Sequence, residues 1–242
     1  MRHLSSKIET LVDHPRGLLL TISLFVSLRL GEITLIFMTG TGRTLTSARE
    51  LAIGTGLDVA LFCLLLLGLT RLGDVDIRRL FFGRLPNLWE GVKWGSVGIV
   101  CSIPGFIHAT SVPTYFGYEG YVTFVFLHIA QVTIAMPCIE ETLFRGVCFG
   151  SLLVVGRLQA YAISTILFLL WHVTFVDLII KGSTGLDWPH AAIITVFGLV
   201  TAYVYEKTGK LTLCIIFHGA GNALVSSAPF FLYLQEYFLT RP

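Results

Sequence analysis

The sequence predicts an all-α protein embedded in a membrane, a polytopic transmembrane helical bundle of seven to eight spans. Of its 242 residues, 54% are hydrophobic and only 13% are charged, and the mean hydropathy is +0.78. A soluble domain carries about 25% charged residues, so this composition indicates a chain surrounded by lipid. The apolar residues also form runs of about 20 residues, the length that a helix needs to cross a bilayer.

The predicted spans are separated by polar or charged connections. They are Gly17–Met38, Leu51–Leu69, Gly91–His108, Tyr121–Cys138, Gln159–Ile180, Trp188–Tyr205 and Leu211–Leu234. A shorter helix is predicted over Glu140–Val155, either as a span of its own or as a continuation bent after Pro137, because proline removes a backbone hydrogen bond. Since no internal repeat is evident, we expect a single integral membrane domain over residues 1–242.

The positive charges of the loops predict a cytoplasmic N-terminus. Arg78, Arg79 and Arg157 fall on the same side of the membrane as the N-terminus, whereas the loop over 109–120 contains no lysine or arginine. Cytoplasmic loops carry an excess of these residues. The formal net charge of +2 is too small to indicate nucleic acid as a partner, so the lipid bilayer is the expected surrounding.

Ionisable residues inside the predicted spans are few, and each costs about 2.5–3.5 kcal/mol at the centre of a span. Arg29 and Glu32 lie three residues apart and can neutralise each other, while the role of Asp58 stays open. His108 and His128 are interpreted as hydrogen-bonded residues of helix packing. The remaining polar residues form three motifs in the second half of the chain.

The first motif is "EETLFR". Glu141 and Arg145 are four residues apart and share a helix face, which predicts a salt bridge between them. Glu140 points about 100° away from that pair and has no local counter-charge. A carboxylate removed from water becomes a usable proton acceptor near neutral pH. The same motif is also compatible with two solvated acids at the membrane border.

The other two motifs are "FLLWH" and "HGAGN". Phe168 can pack beside the imidazole of His172, because the two are one helical turn apart. His218 and Asn222 have the same spacing, and the two glycines between them allow another helix or an extended peptide to approach closely. Two such side chains can donate hydrogen bonds to an oxyanion. Each of the two motifs is also typical of ordinary helix packing.

The three motifs together contain the parts that peptide hydrolysis needs. Glu140 is the candidate base that activates water, His172 is its candidate partner, and His218 with Asn222 offers donors for an oxyanion. The sequence contains no G-x-S-x-G or S-x-x-K motif that would place a nucleophilic serine.

The order of these motifs on successive helices resembles the CAAX protease and bacteriocin-processing (Abi) family, which includes the type II CaaX prenyl endopeptidases. The resemblance covers roughly residues 121–234. It implies an intramembrane glutamate endopeptidase in which Glu140 is the general base and His172 holds the water. It further implies that His218 and Asn222 stabilise the oxyanion.

The resemblance also implies that Glu141 and Arg145 orient the site. The family has been regarded as metal-dependent, and Glu140, His172 and His218 would form a zinc site if a metal were present. Because the sequence has no H-E-x-x-H helix, we expect a metal-free mechanism with no cofactor.

The expected substrate is a peptide or a membrane-delivered protein, whether prenylated or not. The short chain is more similar to prokaryotic members of the family, which implies the cell membrane of a prokaryote. On the topology derived from the loop charges, Glu140 and His218 lie near the inner ends of their helices, so we expect the site to open toward the cytoplasm. The alternative function is a non-proteolytic membrane immunity or regulatory protein that binds a partner through the same fold.

Overall fold

The computed structural model describes residues 85–111, 130–172, 187–228 and 230–232, and isolated positions between 19 and 81. All regular structure in these residues is helical, and they contain no strand, which confirms the all-α class. The described positions of the predicted spans Gly17–Met38 and Leu51–Leu69 are helical. Some predictions concern residues that lie outside the described parts of the chain, namely Arg29, Glu32, Asp58, Arg78, Arg79 and His128.

Five helices build the described structure. They are α1 (Leu88–Ser111), α2 (the consecutive segments Gln131–Ala135, Met136–Glu141, Thr142–Phe149 and Gly150–Leu152), α3 (Arg157–His172), α4 (Trp188–Thr208) and α5 (Leu211–Ser226). A shorter apolar helix spans Phe62–Arg71. The predicted spans from Gly91 onward therefore correspond to helices wherever their residues are described.

Helix α2 runs without interruption through Pro137, so the "EETLFR" segment continues the preceding helix and is not a separate span. Its first and third segments are π-helical, with backbone bonds such as Met136 N–H to Gln131 O reaching five residues back. Pro137 is the second residue of the α-helical segment that follows, and because the helix is continuous there, its missing N–H leaves carbonyl groups of the preceding turn without a helical partner. Glu140 and Glu141 thus lie between two π-helical stretches, a feature frequent at functional sites.

Helices α1 and α5 pack side by side in the same direction at very short distance. Gly98 lies against the carbonyl group of Phe217, and a Cβ added to Gly98 would collide with it. Gly221 lies against Ser102 in the same way. Small residues allow this close approach of two backbones. The glycines of "HGAGN" therefore allow neighbouring helices to approach α5 closely, as the sequence predicted.

Polar side chains join the helices at one end of the bundle. Lys210, which precedes α5, binds Glu90 at the start of α1 with an Nζ–Oε2 distance of 2.6 Å. Glu206, near the end of α4, is bound by Arg157 and by the Tyr161 hydroxyl group of α3. Arg157 and Lys210 therefore lie at the same end of the described bundle.

The opposite end of the bundle joins the last turn of α1 to the start of α4. His108 Nε2 lies 2.9 Å from Asp187 Oδ2, and Asp187 also caps α4 by accepting the backbone N–H of His190. That N–H, followed by the His108 imidazole, holds the pKa of Asp187 below its ordinary value. The carboxyl group is consequently ionised at neutral pH.

The distribution of side chains is that of a membrane protein. Two helices, Trp188–Thr208 and Leu211–Leu232, are long and apolar enough to cross a membrane by length and composition. Apolar side chains such as Val100, Ile107 and Val196 are exposed, whereas Glu141 and Arg145 are buried. Lipid accommodates exposed leucine, isoleucine and valine, and intramembrane charges face the interior of a bundle.

Two exposed tryptophans lie at opposite ends of the bundle, one in α1 and one in α4. Trp89 lies in the first turn of α1 and is 74% exposed, and Trp188 begins α4 at the opposite end and is 73% exposed. From Trp89 to His108 the helix rises by about 28 Å, close to the ~30 Å thickness of a bilayer's hydrocarbon core. Tryptophan is enriched at the membrane interfaces, so α1 has the length of a full span.

We predict that Gly98→Ala destabilises the protein by about 1–3 kcal/mol, the usual cost of overpacking, because the new methyl group meets the backbone of α5. Thermal or denaturant unfolding in detergent measures the change. Gly95→Ala is the matched control on the same helix, since its Cβ would meet Ile216 at an ordinary 3.5 Å. Equal stability of the two variants would contradict the close packing of α1 on α5.

Candidate active site

Glu140 lies at the point where α2, α3 and α5 meet. Its Oε1 accepts a hydrogen bond of 2.9 Å from the Trp171 indole N–H. Its Oε2 lies 3.6 Å from His172 Nε2 and 3.7 Å from His218 Nε2. The Oε2 atom is buried and has no hydrogen-bond partner within the described protein. Glu140 thus has one oxygen that is held and one that is left for another group.

Glu141 is bound on the adjacent face of the same helix. Its Oε1 lies 3.2 Å from Arg145 Nη1 and 2.6 Å from His218 Nδ1. The Glu141–Arg145 pair predicted from their spacing is therefore confirmed. Arg145 also donates to the Gly198 carbonyl oxygen at 3.1 Å and lies 4.1 Å over the ring of Phe168. This arrangement connects α2 with α3, α4 and α5.

The two histidines are oriented by hydrogen bonds through Nδ1. His172 Nδ1 lies 2.9 Å from the Phe168 carbonyl oxygen, and His218 Nδ1 faces the Glu141 carboxylate. Because both partners are acceptors, both Nδ1 atoms carry the hydrogen. The Nε2 atoms of the two rings are then the atoms that face Glu140 Oε2. The space between these three atoms suits a polar group that can hydrogen-bond to them.

Aromatic rings form the wall behind these groups. The Phe168 ring lies 4.5 Å from that of His172, which confirms the packing predicted from their spacing, and 5.8 Å from that of His218. Phe197 of α4 contacts His218 from another side at 5.0 Å. The wall excludes water from His218, whereas the His172 side chain remains 22% exposed. His172 is therefore the accessible edge of the site.

Asn222 lies one turn beyond His218, and its amide group donates to the Val132 carbonyl oxygen at 2.8 Å. Pro137 has no N–H for the carbonyl groups four and five residues before it, those of Thr133 and Val132. Asn222 satisfies the second, and Gly219 packs against the first. The described contact of Asn222 is thus between helices and does not involve Glu140.

Sequence reasoning missed two contributors to this site. Trp171 precedes His172 directly and points about 100° away from it on the helix, so spacing gave no reason to join both to Glu140. Gly198 offers only its backbone oxygen to Arg145, and a single glycine in an apolar helix carries no signal. Both contacts require the helices to be packed.

The donor set of Glu140, His172 and His218, two imidazoles and a carboxylate, has the chemistry of a zinc site. In the described residues, however, one group of three His, Cys, Asp or Glu side chains has ligand atoms all within 4.8 Å of one another, and it consists of His108, Asp187 and His190. The group around Glu140 is more open than that.

Comparison with known proteins agrees with the three motifs. Residues 122–224 match the family described as type II CAAX prenyl endopeptidase Rce1-like. The matched segment contains all six residues singled out in the motifs, namely Glu140, Glu141, Arg145, His172, His218 and Asn222. No curated protein and no solved structure matches the chain. Residues 122–224, less than half of the chain, are therefore similar to the Rce1-like type II CAAX prenyl endopeptidases.

Proposed function

We propose that the protein is an intramembrane endopeptidase in which Glu140 activates a water molecule. The observation that carries the proposal is the unpartnered, buried Oε2 atom of Glu140, flanked by the Nε2 atoms of His172 and His218 at 3.6 and 3.7 Å. A water between them would donate a hydrogen bond to Glu140 Oε2 and would contact both Nε2 atoms. The family match supports the protease class.

In the proposed reaction, Glu140 Oε2 takes a proton from the water as the water oxygen bonds to the peptide carbonyl carbon. The carbonyl oxygen gains the negative charge. When the carbon–nitrogen bond breaks, the proton passes from Glu140 to the leaving amine, which restores the carboxylate. The Trp171 N–H holds Oε1 throughout, so that Oε2 keeps its direction.

His218 and Asn222 are the proposed donors to the oxyanion. The amide nitrogen of Asn222 carries two hydrogens, of which one is used by Val132, so the second is left for a substrate oxygen. His218 is the second proposed donor, through Nε2, and its Nδ1 contact with Glu141 fixes the direction of the ring. Glu141 and Arg145 orient His218 and do not contact substrate in this scheme.

We propose that the mechanism at Glu140 uses no metal. Zinc ligands lie 2.0–2.2 Å from the ion, and in a tetrahedral site they lie about 3.4 Å from one another. The two distances from Glu140 Oε2 approach that value, but Glu140, His172 and His218 do not form a compact group of three. Because the ligand atoms of all three residues do not approach one another this closely, we propose a water molecule between them in place of a metal ion.

The proposed substrate is a peptide segment delivered from the bilayer, and the proposed orientation places the site's access on the cytoplasmic side. Arg157, Lys207 and Lys210 lie at one end of the described bundle, which the excess of positive charge in cytoplasmic loops assigns to the inside. Bacteriocin-like peptides, membrane-protein segments and prenylated CAAX peptides are the candidates to assay. The small loops favour a prokaryotic cell membrane.

We predict that Glu140→Gln lowers kcat by about 10²–10⁴-fold, the usual contribution of a general base, while the protein still inserts and folds. Cleavage of fluorogenic peptides with and without a prenyl group, in proteoliposomes, measures the loss. Glu206→Gln is the matched control, because Glu206 is also a buried glutamate but binds Arg157 and Tyr161 away from the site. It is expected to lower stability and to leave kcat nearly unchanged.

If the Glu140→Gln variant cleaved peptides at the wild-type rate, Glu140 would not be the general base. If Glu140→Gln, His172→Ala and His218→Ala instead all retained full biological activity in cells, the binding-protein alternative would replace the protease.

We predict that Trp171→Phe lowers kcat by about 10–100-fold with little change in KM, because a hydrogen bond to a charged group contributes about 1.5–3 kcal/mol. The phenyl ring keeps the aromatic contact with Phe144 but cannot donate to Glu140. Trp188→Phe, at the exposed start of α4, is the control and should retain wild-type kcat. A fall in thermal stability without a fall in kcat would show that Trp171 only packs.

A further inference from the structure

A second group of ligating side chains lies away from Glu140, where α1 ends and α4 begins. His108, Asp187 and His190 each place one ligand atom within 4.8 Å of the others. His108 Nε2 and Asp187 Oδ2 are 2.9 Å apart, and the rings of His108 and His190 stand edge to face with centroids 6.0 Å apart. The group is more compact than the one around Glu140.

The helix start fixes the carboxylate of this group. Asp187 Oδ1 accepts the backbone N–H of His190 at 3.2 Å, which leaves Oδ2 directed toward His108. The same hydrogen bond sets the first turn of α4, from which the His190 side chain extends. Asp187 and His190 therefore keep a fixed relation, and His108 supplies the third side chain from another helix.

We propose that His108, Asp187 and His190 bind a divalent transition-metal ion, with zinc the best fit. Two imidazoles and one carboxylate are a donor set that zinc accepts, with a fourth position left for water. The fourth position is accessible here, because Asp187 and His190 are exposed and His108 is only partly buried. Calcium and magnesium prefer sites made entirely of oxygen atoms, so a mixed nitrogen and oxygen site disfavours them.

Such an ion would act on the active site at a distance. It would join α1 to α4, and both helices support His218: Phe197 of α4 contacts its ring, and Gly98 of α1 packs against the neighbouring Phe217. Removal of the ion would loosen this wall without touching the atoms around Glu140. Loss of activity on chelation would therefore not by itself place a metal at Glu140.

The test is zinc binding by chelator-stripped, full-length protein in detergent, measured by calorimetry and by thermal unfolding. We expect the wild type to bind one zinc ion per chain and to gain thermal stability from it. Asp187→Asn keeps a good helix cap but replaces the carboxylate, and His190→Ala removes an exposed imidazole. Each variant should lose affinity by more than the roughly 10–100-fold that loss of an outer hydrogen-bond partner costs.

His172→Ala is the matched control, because it removes an imidazole from the Glu140 group and should leave zinc affinity unchanged. Zinc binding that is lost in His172→Ala and kept in Asp187→Asn and His190→Ala would overturn the inference and the metal-free mechanism together. Absence of zinc binding by the wild type would show that His108 and Asp187 form an ion pair only. That result would overturn the inference and leave the proposed protease unaffected.

Discussion

The buried ion pair between Glu141 and Arg145 is the interaction on which the rest of the site depends. Its side chains are 0% and 1% exposed, and removal of one member of such a pair costs about 3–5 kcal/mol because the other charge stays uncompensated. Arg145 also binds the Gly198 oxygen of α4 and covers the Phe168 ring of α3, while Glu141 holds His218 of α5. One pair thus fixes three helices against α2.

This pair also explains why two adjacent glutamates have different roles. Glu141 Oε1 is bound by both Arg145 and His218, so Glu141 is suited to hold His218 in place, although its Oε2 also has no hydrogen-bond partner in the described protein. Glu140, on the next face of the helix, has one oxygen held by Trp171 and one without a partner. An unpaired buried oxygen is costly in an apolar interior, and the hydrogen bond from Trp171 to Oε1 is the described contact that holds the Glu140 carboxylate in this position.

Much of this site follows from spacing along single helices. The Glu141–Arg145 pair, the contact of Phe168 with His172 and the thin face of α5 all involve residues within one turn or their immediate backbone, and the sequence predicted each of them. The contacts of Trp171 with Glu140 and of Asn222 with Val132 join distant segments. Spacing along one helix contains no information about the rotation of its neighbour, so these contacts could not be predicted.

The sequence by itself determined that the protein is helical and belongs in a membrane, because composition and the length of apolar runs decide how backbone groups are satisfied in lipid. It also determined which residues are candidates for chemistry, since ionisable groups are too costly in lipid to be numerous. Only the tertiary structure decided which oxygen of Glu140 is left open, that Asn222 serves the carbonyl group freed by Pro137, and that His108 meets Asp187 and His190. The physical reason is that each depends on the rotation and depth of one helix against another, which packing sets.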